Sequence, residues 1–266
     1  TTVGVLSSIL SKTQMLDYGW RIAFMIGFIL AVGSTIMQKK AKESPFFKEL
    51  QKKEKLCKKP LRSAIQGPKM PLLWTFALTG YVGIAYYMMA AYLPNILIYR
   101  RLFNVKTIMF ITVIASCFYA ALSPTFGWLS DQYGRKPILY IAITLIAVLG
   151  YPMFMLLNNA ALPGILVALS IFALLTSAMT AAFQVAVTEL FPTKHRYSAM
   201  SAAYNSGNAL FAGTTPMISI WLAHASGSAY APCFYLISAS VITLILIYKI
   251  IINRIYVKRF LWICYI

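Results

Sequence analysis

Five residues with ionisable or conformationally special character crowd into one polar bridge between two apolar stretches: Gly127, Asp131, Gly134, Arg135 and Lys136, in the run Gly127-Trp128-Leu129-Ser130-Asp131-Gln132-Tyr133-Gly134-Arg135-Lys136, closed by Pro137. The chemistry open to such a set is ion pairing at a surface. Gly127 lacks a Cβ and is expected to let a neighbouring helix come close, while Gly134 tolerates the positive φ of a tight turn. The Asp131 carboxylate is expected to face backbone amides or a helix N-terminus. Pro137 suits the first turn of the next helix.

A second charged pair lies further on. Glu189 and Arg196 flank Leu190-Phe191-Pro192-Thr193-Lys194-His195, and Pro192 forces a turn there. One reading is a capping acid and a basic residue that never meet. The other is a charge network in which Glu189 and Arg196 engage Asp131, Arg135 and Lys136 while the inward side is closed. Exposed ion pairs contribute only about 0–1 kcal/mol each, which suits a latch that must open.

A third group has the chemistry to hold a small cationic or zwitterionic solute. Trp74, Tyr81, Tyr86, Tyr87 and Tyr92 share one apolar window, and Tyr204, Asn205 and Asn208 share another. Tyr and Trp faces attract quaternary ammonium groups. Aromatic residues also belt membrane interfaces, and either role fits these positions. Asn205 and Asn208 are three apart, on one face of a helix, where amides glue helices together or line a pathway. The glycines Gly207 and Gly213 beside them favour close helix contact.

Other chemistry is thinly represented. The four cysteines, Cys57, Cys117, Cys233 and Cys264, have no paired spacing, so neither a metal site nor a disulfide is suggested. No Gly-rich phosphate loop followed by Lys and Ser or Thr occurs, and no ATP-driven motor is expected within the chain. His195 and His224 both fall in polar loops.

The elements that position these groups follow from composition. The 266 residues are 60% hydrophobic and 11% charged, with a mean hydropathy of +0.72, which excludes a soluble domain. Uncharged windows run Ile22 to Gln38, Pro71 to Tyr99, Thr107 to Ser130, Pro137 to Thr188 and Tyr197 to Tyr248. The last two hold 52 residues each, about 78 Å as straight helices against a hydrocarbon core of about 30 Å. They must fold back as hairpins, at Asn158 to Gly164 and at His224 to Pro232. Seven spans result, and unsatisfied backbone groups in lipid require them to be helices. Thr1 to Ser11 is apolar but too short to span, with no basic segment before a cleavage site, and reads as the tail of a truncated span.

The formal charge of +18 is distributed as a membrane protein's would be. Between Lys39 and Lys69 lie eleven Lys or Arg against Glu43, Glu49 and Glu54. If that loop is cytoplasmic, alternation of the spans puts 19 Lys and Arg inside and leaves five outside: Lys12, Arg21, Arg100, Arg101 and Lys106. The positive-inside rule accounts for this asymmetry, with attraction to anionic headgroups as a secondary role and no nucleic-acid partner.

The Gly, Asp, Gly, Arg, Lys order of the opening motif resembles the loop signature of the major facilitator superfamily. Tyr18-Gly19-Trp20-Arg21-Ile22-Ala23-Phe24, Glu43-Ser44-Pro45-Phe46-Phe47 and Glu189 to Ala199 resemble its metabolite:proton symporter family. Tyr86 to Pro94 and Ser201-Ala202-Ala203-Tyr204-Asn205 are similar to the proline/betaine branch. The resemblance implies an all-α integral membrane fold, a helical bundle that is part of the major facilitator fold. Residues 1–38 would hold the end of helix five and helix six, residues 39–70 a basic cytoplasmic central loop, residues 71–252 the six helices of the second half, and residues 253–266 a short cytoplasmic tail. It further implies a proton-coupled symporter of a zwitterionic osmolyte in the plasma (inner) membrane, with no cofactor besides the proton as coupling ion. No Asp or Glu lies deep in a span, so the coupling carboxylate is expected in the first half, which is the absent partner. A non-transporting fragment of a broken gene, a symporter of dicarboxylates or other metabolites, and a membrane subunit of an ATP-driven permease remain alternatives.

Overall fold

The computed structural model describes residues 5–6, 9–40, 69–100, 103–159, 161–191 and 196–252. The central loop from 41 to 68, Pro192 to His195 and the tail 253–266 lie outside the described residues. All regular structure among the described residues is helical, as backbone groups in lipid require. Six helices are long and apolar enough to cross a membrane. The chain is a multi-pass membrane protein.

Helix α1 (Trp20–Lys40) follows a π-helical turn, Met15–Gly19. Its span has no buried position, and Phe24, Phe28 and Met37 are all exposed, leaving an apolar surface for lipid or another chain. The next crossing is compound: α2 (Lys69–Tyr87), a π-helical turn at Met88–Tyr92, and α3 (Leu93–Tyr99). Then come α4 (Val105–Tyr133), α5 (Arg135–Asn158) and α6 (Leu162–Glu189). The chain reverses between the end of α5 at Asn158 and the start of α6 at Leu162, within the break that the sequence places at Asn158 to Gly164.

The sixth expected span is not one helix. It divides into α7 (Arg196–Gly207), a π-helical turn at Asn208–Ala212, and α8 (Thr215–Ser226), before α9 (Ala231–Ile252) returns. The break has a local cause. Gly213 N–H closes a wide turn onto the Asn208 carbonyl at 2.9 Å, and the Thr214 and Thr215 hydroxyls bond back to the Leu210 and Phe211 carbonyls at 2.6 and 2.7 Å. Pro216 then lacks the N–H that would continue the helical ladder. A proline, Pro94, also follows the turn at Met88–Tyr92. His224 lies in the last turn of α8, not in a loop.

Helix α6 is the centre of the bundle and packs against α5, α4 and α2. It buries Phe172, Met179, Phe183 and Val187 together with Ala168, Ala173, Ala178, Ala182 and Ala186. In lipid such packing is driven by van der Waals contact, which small residues permit by letting backbones approach. Helix α2 meets α7 and the turn after it still more closely. A Cβ at Gly207 would lie 2.6 Å from the Phe76 carbonyl oxygen, and one at Gly83 would lie 2.4 Å from Ala212 Cβ.

Candidate functional site: a charged turn and a tyrosine face

Helix α4 ends at Tyr133 and α5 begins at Arg135, with Gly134 alone between them at φ 90° and ψ 155°. That backbone conformation is open to glycine and rarely to other residues. The turn places Arg135 one helical turn beyond Asp131, and the guanidinium donates to the Asp131 carboxylate. Arg135 also donates to Ser130 Oγ at 3.4 Å and to Glu189 Oε1 at 3.5 Å. Arg135 is therefore the hub, joining the end of α4, the start of α5 and the end of α6.

Burial grades these contacts. The side chains of Arg135 and Glu189 are 18% and 24% exposed, whereas that of Asp131 is 64% exposed and more screened by water. The expectation that Asp131 would face backbone amides gives way to its pairing with Arg135, since a guanidinium at i+4 is the nearer partner. Lys136 is half-buried in the first turn of α5. The Arg196 side chain lies outside the described residues, so its expected pairing with Glu189 is not part of this geometry. Gly127 differs from expectation as well: a Cβ there would meet nothing within 4 Å, because no described helix packs against that face of α4.

The aromatic candidates separate into buried and accessible groups. Tyr81 is 2% exposed, and its hydroxyl hydrogen-bonds Ser240 Oγ at 2.8 Å, so it ties α2 to α9 and lines no open surface. Tyr92 is buried too. Tyr86 and Tyr87 are 39% and 40% exposed, with ring centroids 5.8 Å apart. Tyr204 stacks on Phe183 at 6.2 Å and is half-buried. The two asparagines do not share a face. Asn205 is exposed and turns its amide onto Ser201, at 2.8 Å to the carbonyl and 3.1 Å to the hydroxyl. Asn208 begins the π-helical turn, and its Oδ1 sits 3.0 Å from where a Gly83 Cβ would be. Three positions along a helix leave the two about 60° apart, enough for Asn208 to meet α2 while Asn205 stays exposed. Gly213 meets only carbonyls of its own turn and makes no interhelical approach.

Tyr119 on α4 escaped the reading of the sequence. Its ring lies 5.7 Å from that of Tyr86, and its carbonyl accepts from Ser177 on α6 at 2.9 Å. A signal existed in Thr112, Ser116 and Tyr119, which fall on one helical face of an otherwise apolar window. At the opposite end of the bundle Arg100, expected only as a loop charge, donates to Asn158 Oδ1 and so links the ends of α3 and α5. Among the described residues no cluster of His, Cys, Asp and Glu is arranged to hold a metal ion.

The sequence profile of the Major Facilitator Superfamily matches residues 102–259. The proline/betaine transporter of Escherichia coli K12 is 29% identical over 254 residues, covering 91% of this chain and 50% of the relative. A glycine betaine/proline/ectoine/pipecolic acid transporter of Dickeya dadantii is 29% identical with the same coverage. An ectoine/proline transporter of Corynebacterium glutamicum is 30% identical over 251 residues, covering 91% and 50%. The chain spans about half the length of these relatives. No solved structure matches it.

Proposed function

Since the chain belongs to the major facilitator superfamily, we propose that it supplies the second half of a secondary active transporter for a small zwitterionic osmolyte such as proline or betaine, moved by proton-coupled symport. The observation that carries this reading is the bridge Arg135 makes between Asp131 and Glu189. It fastens three helix ends at one membrane surface through contacts weak enough to release in each cycle of alternating access. The names of the relatives support the class of solute, since the alignments run along 91% of the chain.

In this reading the basic segment 39–70 and the C-terminal segment face the cytoplasm, beside the anionic headgroups of the plasma (inner) membrane. Among the described residues Asp17, Asp131 and Glu189 all lie at the edges of helical spans. The proton-carrying carboxylate therefore belongs to the other half, as does the rest of the solute site.

Uptake by membrane vesicles tests the proposal, using labelled proline, betaine and a dicarboxylate, with this chain alone and with a first half supplied. Proline or betaine uptake that needs both halves and collapses with a protonophore is expected. Dicarboxylate uptake alone, or none with both halves present, would overturn it.

A further inference from the structure

The midsections of α2, α4, α6 and α7 meet around an open face that is polar but carries no charge. Met70 to Tyr99, Thr107 to Ser130, Leu162 to Thr188 and Tyr197 to Ala212 contain no Asp, Glu, Lys or Arg. Yet Tyr86, Gln184 and Asn205 are exposed on these helices, and Tyr119, Thr180 and Tyr204 are half-buried. Polar side chains in a membrane span face a pathway or another helix, because lipid offers them no partner.

The rings on this face are grouped. Tyr86 is shared by two pairs, with Tyr87 at 5.8 Å and an interplanar angle of 79°, and with Tyr119 at 5.7 Å and 58°. The planes are far from parallel, so the rings form a notch, not a stack. A cation seated beside Tyr86 comes within about 6 Å of two ring centroids at once, the range over which the ring quadrupole attracts it. The exposure of Tyr86 and Tyr87, near two-fifths, leaves ring surface free for a ligand.

We infer that Tyr86, Tyr87 and Tyr119 form the subsite for the positively charged end of the solute, selecting a trimethylammonium group by ring faces without a carboxylate counter-ion from these four helices. This rests on the transport reading above and adds the residues that set its specificity. A carboxylate would hold any cation, sodium and Lys-like amines included. Ring faces favour a large, weakly hydrated ammonium, because it surrenders little hydration on leaving water.

The test uses the whole chain in lipid nanodiscs and saturation-transfer NMR on the carbon-bound protons of the ligand. Choline is compared with 3,3-dimethylbutan-1-ol, which has the same shape without the charge, and betaine and proline are run alongside. Saturation of choline and betaine methyls is expected, with little for the neutral isostere. Tyr86→Leu and Tyr119→Leu should each weaken it about tenfold, while Tyr119→Phe, which keeps the ring, should preserve it. Equal saturation of choline and its isostere, or intact binding in both Leu variants, would overturn the subsite. In that case continued proline and betaine uptake with both halves would leave the transport reading standing. Absence of binding by every solute, in a chain shown folded by its helical circular dichroism, would likewise overturn the subsite, and loss of uptake with both halves present would remove the transport reading as well.

Discussion

Arg135 and Glu189 stand 54 positions apart in the chain and meet at 3.5 Å. One begins α5 and the other ends α6, so the pair closes the open end of a hairpin whose other end lies between Asn158 and Leu162. Asp131 extends the same guanidinium to α4, which packs far more on α6 than on α5. The bridge adds a charged fastening at that surface to the packing of α4 on α6.

Glu189→Gln should therefore loosen this surface while leaving the bundle folded. Ser130 is fully buried beneath Arg135, so Ser130→Cys provides a reporter. Its labelling by a membrane-impermeant maleimide should accelerate up to about fivefold in the Glu189→Gln background, the factor that corresponds to loss of ~1 kcal/mol. An unchanged rate would mean that the bridge does not hold the surface closed.

The two glycines of the motif should respond oppositely to alanine. Gly134→Ala forces a Cβ into φ 90° and ψ 155°, a region essentially confined to glycine, at a cost of about 1–3 kcal/mol, and should lower the thermal midpoint in detergent. Gly127→Ala meets nothing within 4 Å and lies inside α4, where alanine is favoured over glycine by about 1 kcal/mol. The chain alone should gain stability, and a loss of function would appear only with a first half present.

The spans and their reversals were legible because absence of charge over a bilayer's length and clusters of Asn, Gly and Pro report directly on lipid and turns. The Asp131, Arg135 and Glu189 meeting was legible for a related reason: alternation brings one end of each of three spans to the same surface. The facing of residues within a span was not. Tyr81 and Tyr86 lie five apart in a window apolar all round, so no polar stripe distinguishes the side that packs on α9 from the open side. Nor does composition report helical winding. The π-helical turn at Asn208–Ala212 shifts the residues that follow it around the helix axis, and only the packed structure reveals it.

Gly207→Ala should be among the most damaging small changes in the bundle. The new methyl would sit 2.6 Å from a backbone oxygen at Phe76, and a helix must move because a carbonyl has no rotamer to change. A loss of about 1–3 kcal/mol is expected, read as a lower thermal midpoint in nanodiscs. Gly33→Ala in α1, with nothing within 4 Å, serves as the neutral comparison.

Tyr81→Phe separates structural from ligand-facing tyrosines. It removes the hydroxyl that bonds Ser240 at 2.8 Å, but Ser240 Oγ keeps its bond to the Leu236 carbonyl at 2.8 Å, so no donor is stranded. Interhelical hydrogen bonds in membranes average about 0.6 kcal/mol, and the thermal midpoint should fall by only a few degrees. Choline and betaine saturation should not change, because the ring is 2% exposed and reaches no open surface. If binding fell as far as in Tyr86→Leu, with the midpoint preserved, the accessible face would have to include the α2–α9 contact, and the division of tyrosines between core and notch would fail.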